Sequence, residues 1–155
     1  MTIKKIFSAI LTCYYSKKEA NGNMNRTQLS IKTGFRDEMI DITGEVESVI
    51  QKSGVQEGFC MVYVPHTTAG VTINENADPS VVSDIIGALR KIVPDNLNYL
   101  HAEGNSQAHI KASLMGASVI AGVSGGKLML GTWQGIFFCE FDGPRSRKAV
   151  VSVWQ

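Results

Sequence analysis

The sequence predicts an α+β fold: a single small domain in which about three helices pack on a largely antiparallel sheet or sandwich. Three observations predict it. Short stretches recur in which apolar residues alternate with polar ones or run together with β-branched side chains, as in TQLSIKT, FCMVYV and AVVSVW. Other segments carry apolar residues at helical spacing. The order β, α, ββ, α, α and then four strands belongs to helices laid against an antiparallel sheet.

TQLSIKT alternates as a half-buried strand does, and Gly34 ends it. Ile42, Val46, Val49 and Ile50 mark one face of a first helix, with Thr43 placed to cap its start and Gly54 just past its end. FCMVYV is a strand stopped by Pro65, and VTIN after Gly70 is a shorter one, so two strands flank His66. Asp78-Pro79 supplies an N-cap and a proline in the first helical turn, ahead of a second helix whose buried face is Val82, Ile85, Ile86, Leu89 and Val93. Pro94 stops it. Asn105 or Ser106 caps a third helix that runs to Met115 and ends at Gly116. SVIAGV and KLMLG are strands joined by Ser124-Gly125-Gly126, which suits a tight hairpin. GIFFCEF, the turn DGP and AVVSVW are expected to form a further antiparallel pair.

With 155 residues, 44% of them hydrophobic, the chain can bury one core. Fifteen basic and fourteen acidic side chains give a net charge of +1, which lacks the broad basic footprint of a nucleic-acid or membrane-surface binder. Cys13, Cys60 and Cys139 have no CxxC spacing and are expected to be reduced, as in the cytoplasm. Residues 1–24 stand apart from residues 25–155. Two lysines followed by a short apolar run have the layout of a secretory signal, but two tyrosines end the run and no small-x-small cleavage site follows. A start at Met24 is the other reading, and either way the first 24 residues are set outside the fold.

The polar residues are unevenly placed. His66, His101 and His109 each lie among amides, carboxylates or hydroxyls. Taken singly, each would be an ordinary surface or hydrogen-bonded histidine. If they converge, two chemistries suit them. With a carboxylate such as Glu140 or Asp142 they would bind a divalent metal, although HExxH spacing is absent. Alternatively the imidazoles act as general acid and base while Thr67, Thr68, Asn74, Asn76 and Asn105 position a polar substrate. Helix starts beside the cluster would favour an anion, with Lys111 or Arg145 adding charge. Arg147 and Lys148 read as solvated basic residues, and Asp78 as a cap. Gly131 and Gly135 bracket Thr132, Trp133 and Gln134 at a bend where backbone can approach a ligand, or where a tryptophan simply packs. Alternation puts Ile136, Phe138, Glu140 and Asp142 on one strand face and Phe137, Cys139 and Phe141 on the other. On that apolar strand Glu140 requires a partner, whether histidine, cation or metal.

HTTAGVTINENADP, HAEGNSQAHIKASLMG and LMLGTWQGIFFCEFDGPR, in that order, resemble the YjbQ-like family, described as secondary thiamine-phosphate synthase enzymes. The resemblance spans roughly Thr27 to the C-terminus. It implies a small cytoplasmic α+β protein, a homotrimer, and a site shared by His66, His101 and His109 near a subunit boundary. The implied reaction displaces pyrophosphate from a hydroxymethylpyrimidine diphosphate by the nitrogen of a thiazole phosphate, usually with magnesium. The chain shows no aspartate-rich magnesium motif. Three expectations follow: a transferase acting on a phosphorylated heterocycle through His66, His101, His109 and Glu140; a metal-dependent hydrolase with the three histidines as zinc or magnesium ligands; or a non-catalytic phosphometabolite-binding protein. No membrane or nucleic-acid partner is expected.

Overall fold

A computed structural model describes residues 24–155. The readings of residues 1–23, including Cys13, lie outside the described residues. The elements are β1 (Asn25–Lys32), β2 (Glu38–Asp41), α1 (Thr43–Ser53), β3 (Gly58–Tyr63), β4 (Ala69–Glu75), α2 (Pro79–Ile92), α3 (Ser106–Met115), β5 (Ser118–Ser124), β6 (Lys127–Leu128), β7 (Gln134–Glu140) and β8 (Ser146–Trp154). Both sheets are antiparallel. One has the order β1-β8-β3-β5-β6 and the other β2-β7-β4.

Alternation explains how the layers stack. Ile31, Cys60, Val62, Val123, Val151 and Val153 point inward from the five-stranded sheet and meet Val71, Ile136 and Phe138 of the three-stranded one, with Val46, Val49 and Ile50 of α1 joining them. The other face of the small sheet carries Met39, Phe137, Cys139 and Phe141, which pack on Leu89 of α2 and on Ala108 and Ala112 of α3. The small sheet is therefore apolar on both faces, as a middle layer must be. The outer face of the large sheet exposes Phe59, Tyr63 and Ile120.

Element boundaries follow local chemistry. Gly54 ends α1 with φ 73°, and Asp78 accepts a hydrogen bond from the Ser80 N–H to start α2. Gly125 and Gly126 take φ 56° and 72° in the β5–β6 hairpin.

Four readings are corrected. GIFFCEF and AVVSVW are not partners: β7 lies between β2 and β4, while β8 lies between β1 and β3. A strand with two apolar faces has to sit between layers, and β8 has only one fully apolar face. The second correction is β2 itself, whose four residues EMID are too short and too charged to signal a strand. Third, Thr43 is not the cap of α1. Ile42 holds that position, while the Thr43 hydroxyl donates to Asp41 Oδ1 and accepts from the Ile136 N–H at 2.8 Å. Fourth, the KLMLG strand shrinks to Lys127–Leu128.

Gly70 allows β4 and α3 to touch: a Cβ there would lie 2.7 Å from the Gly116 carbonyl oxygen and 3.1 Å from Met115 Cβ. Gly70→Ala is expected to cost about 1–3 kcal/mol in urea unfolding, because backbone has to move. Gly44→Ala, in α1 with nothing within 4 Å of the added carbon, is expected to be neutral or to stabilise by up to about 1 kcal/mol.

Candidate functional site

The floor of the site is a buried ion pair between the sheets. Glu140, at the end of β7, is fully buried, and it receives five hydrogen bonds. Arg147 of β8 donates through Nε at 2.7 Å and Nη2 at 2.6 Å, the N–H groups of Phe141 and Asp142 donate at 3.0 and 2.9 Å, and the Thr33 hydroxyl donates at 3.1 Å. Burial alone would raise the Glu140 pKa; the Arg147 hydrogen bonds, the Asp142 N–H, the Arg147 charge and Thr33 outweigh it and hold the carboxyl below its ordinary value. Arg147 also donates to the Thr68 hydroxyl at 2.8 Å. Thr68 lies between β3 and β4, so one guanidinium ties both sheets to the connection that carries His66.

That connection is Val64-Pro65-His66-Thr67-Thr68. Nε2 of His66 accepts the Lys148 backbone N–H at 3.0 Å, which fixes the neutral tautomer with its proton on Nδ1. Burial lowers the His66 pKa, the Arg147 charge lowers it further, and Glu140 only partly opposes them. The ring is thus held neutral at neutral pH.

His66, Thr67 and Tyr63 form one wall of an open cleft of about 710 Å³, and His109, Ala112 and Ser113 of α3 form the other. Two contacts hold the wall from α3. On one side Gly116 accepts the Val71 N–H at 3.0 Å; on the other the fully buried Lys111 donates to Asp37 at 3.2 and 3.3 Å. Arg90 of α2 donates to the same carboxylate at 2.7 Å. His109 also stacks edge to face on His101, with ring centroids 5.2 Å apart, and both line a second hollow of about 380 Å³ with Tyr99, Ser106 and Ile110. His101 lies 3.8 Å from Glu103, and both are exposed.

The structure thus gathers His66, Thr67, His101 and His109 around two hollows that meet at His109. Other expected site residues go elsewhere. Asn74 and Asn76 lie at the far end of β4, about 20 Å from Thr68 at the rise of an extended strand. There Asn74 accepts from the Glu75 N–H, Asn76 donates to Asp41, and the Trp133 carbonyl accepts the Asn76 N–H. Thr132, Trp133 and Gln134 belong to that same end, where Gln134 accepts the Gly131 N–H. The two walls expected from HTTAGVTINENADP are therefore the two ends of one strand. Asn105 caps nothing with its side chain, which donates to Asp142 at 3.1 Å.

Several assigned roles change with burial. Lys111 has its ammonium in the core on Asp37 and is not offered to an anion in the cleft. Glu140 and Thr68 are buried and serve Arg147, so they position the site without facing a ligand. Arg147, read as solvated, is buried at 8% exposure; Lys148 is exposed as expected. Among the described residues no three His, Cys, Asp or Glu side chains come together as metal ligands, so His66, His101 and His109 do not form the expected tripod within one chain. The Nε2 lone pair of His66 is already engaged by Lys148. Cys60 and Cys139 are buried free thiols, pushed up by burial to about 11 and about 12, so neither is a nucleophile. No helix among the described residues is long and apolar enough to cross a membrane. Thr33, Asp37, Tyr63, Tyr99 and Ser113 are site or support residues that the sequence reading missed.

Comparison with known proteins gives one answer. A family model described as UPF0047 protein YjbQ-like matches residues 27–155. A UPF0047 protein of Methanocaldococcus jannaschii is 57% identical over 123 residues, covering 79% of this chain and 89% of that protein. The UPF0047 protein YugU of Bacillus subtilis is 52% identical over 126 residues, with 81% and 96% covered. The crystal structure of an uncharacterised conserved protein of this family from Clostridium acetobutylicum superposes with a TM-score of 0.81 at 55% identity, covering 82% of this chain and 98% of that one. A protein of unknown function from Sulfolobus solfataricus, described as YbjQ-like, gives 0.83 at 32% identity, with 86% and 99% covered.

The buried pair sets an acid limit on stability. The folded pKa of Glu140 lies below its ordinary 4.5, so its contribution is complete above that pH and is lost as pH falls through the folded value. Glu140→Gln is expected to cost about 3–5 kcal/mol near neutral pH, since Arg147 keeps its charge in the core. Part of the wild-type loss of stability below pH 4.5 should disappear with it. Urea unfolding at a series of pH values measures both effects.

Proposed function

Since the chain belongs to the UPF0047 YjbQ-like family, we propose that it is a small-molecule enzyme of thiamine-phosphate synthase type, acting on phosphorylated heterocycles by imidazole acid–base chemistry. The observation that carries this reading is that His66 and His109 line one cleft, with His66 held as a neutral tautomer. The cleft volume of about 710 Å³ falls in the range of small-molecule sites.

In the proposed reaction the thiazole nitrogen forms a bond to the pyrimidine methylene carbon, and the bond from that carbon to the pyrophosphate oxygen breaks. Negative charge grows on the leaving oxygen. Nδ1–H of His66 is the ring's remaining donor and hydrogen-bonds that oxygen in this scheme; the thiazole nitrogen has no proton to lose, so His109 acts as the acid that gives a proton to the departing pyrophosphate and regains one from solvent. The free N–H groups at the start of α3, beside Ser106 and His101, favour the phosphate of the second substrate. Magnesium fits this site poorly: it takes oxygen ligands, and no carboxylate lines either hollow. The steps therefore rest on the imidazoles and the backbone.

The same reading takes the working form as a cytoplasmic homotrimer. Supporting it is the apolar outer face of the large sheet, where Phe59, Tyr63 and Ile120 are exposed with no layer over them among the described residues. Light scattering on the purified protein is expected to give three times the chain mass; a monomer at micromolar concentration would remove this part.

His66→Ala and His109→Ala are each expected to lower kcat about 10²- to 10⁴-fold in a pyrophosphate-release assay, with melting temperatures close to the parent. Undiminished turnover in either purified variant would overturn the role given to that residue. Ligand-induced stabilisation with no product formed by the parent protein would mark a binding protein instead.

A further inference from the structure

We propose that the cleft wall formed by Tyr63, His66 and Thr67, with the Lys148 ammonium at its rim, is a diphosphate subsite. The inference rests on the reaction proposed above and deepens it by saying where the leaving group binds. A diphosphate needs hydrogen-bond donors on its oxygens, a cation beside them and no carboxylate nearby. This wall meets each requirement. The His66 ring has its Nε2 engaged by the Lys148 N–H, so Nδ1–H is left to donate. The Tyr63 phenol and the Thr67 hydroxyl belong to the same cleft, and neither has a hydrogen-bond partner among the described residues. By contrast the Thr68 hydroxyl is taken by Arg147, and the Tyr99 phenol donates to the Pro94 carbonyl at 2.7 Å. No acidic side chain lines the cleft. The opposite wall includes Ala112 and Gly116, which are small and uncharged and leave room for a ring.

The cation follows by elimination. Arg36, Arg90, Lys111, Arg145 and Arg147 each already hold a carboxylate. Lys148 is exposed, and among the described residues it pairs with none. The sheet register brings it to the rim. Tyr63, the last residue of β3, sits opposite Val150 of β8. Lys148 is two residues before Val150 and on the same face; such diagonal neighbours have Cα atoms roughly 7–8 Å apart, within reach of a long side chain. Ser30 lies opposite Lys148 on β1, so no carboxylate competes from that side. The Lys148 backbone N–H is 3.0 Å from His66 Nε2, and its charge adds to the burial and the Arg147 charge that lower the His66 pKa.

Calorimetric titration with inorganic pyrophosphate, in the presence of a metal chelator, tests the subsite without turnover. The parent protein is expected to bind pyrophosphate at millimolar concentration or below. Lys148→Ala is expected to weaken that binding about tenfold or more, as loss of a charge-assisted contact does, while Lys148→Arg stays within about threefold. Neither variant removes the backbone N–H that holds His66. Tyr63→Phe keeps the ring and removes the donor, and is expected to weaken binding about threefold to tenfold. Lys127→Ala removes the same charge from the far edge of the large sheet and is expected to change nothing. Undiminished binding in Lys148→Ala, equal weakening by Lys127→Ala, or a parent protein that binds no pyrophosphate at millimolar concentration would each overturn the proposal. In the synthase assay Lys148→Ala is expected to lower kcat/KM for the diphosphate substrate about tenfold or more and to leave KM for the thiazole phosphate unchanged. Pyrophosphate binding that depends on Lys148, in a protein with no synthase turnover, would uphold the subsite and remove the reaction proposed for it.

Discussion

Everything near the site hangs on one guanidinium. Arg147 reaches from the large sheet into the boundary with the small one, where it satisfies Glu140 with two hydrogen bonds and Thr68 with a third. A carboxylate without exposure would be untenable alone, and a single hydrogen bond would not hold it. The pair therefore adds directional bonds, joined by the Thr33 hydroxyl, to the registration of two sheets whose shared core is apolar. His66 inherits that registration twice, through Thr68 two residues away and through the Lys148 N–H next to Arg147. Its depressed basicity follows from the same arrangement, since burial and the nearby cation act in one direction.

A second buried charge group orients the opposite wall. Lys111 and His109 are two residues apart on α3 and so project to different sides of the helix. Anchoring Lys111 on Asp37 between the helices and the small sheet turns His109 outward to the cleft. Gly70 lets α3 lie close to β4, and His109 then lines the same cleft as His66. The cleft is thus framed by two ionic anchors in two cores, with the imidazoles between them.

Much of this was legible in the sequence, and the failures have physical reasons. The split of β7 into an Ile136-Phe138-Glu140 face and a Phe137-Cys139-Phe141 face was readable because the period of a strand is two, and the two cores divide along it. The same rule held a missed signal: Arg147 is in phase with Ala149, Val151 and Val153, all buried, so alternation already placed it inside. Lys111 likewise falls in the helical stripe of Gln107, Ala108 and Ala112. Charge was read as a sign of solvent when position said otherwise. Sheet partnership was not readable, because pairing β8 with β1 depends on contacts across nearly the whole chain. The two polar ends of β4 looked like one site since sequence proximity hides the length of an extended strand. Asp37, in a short loop without periodicity, carried no pattern at all.

The pairing of β1 with β8 also bears on the order in which the fold can assemble. The first described strand finds its partner in the nine-residue strand Ser146–Trp154, more than a hundred residues along the chain, and β8 in turn joins β1 to β3. The large sheet, and with it the Arg147 that registers the two layers, is therefore incomplete until these distant segments meet. Before that Ile31, Val62 and Phe138 lack the cover they have in the finished core. Pairings of such long sequence separation are intrinsically slow, so the two sheets and the cleft between β4 and α3 are late products of folding.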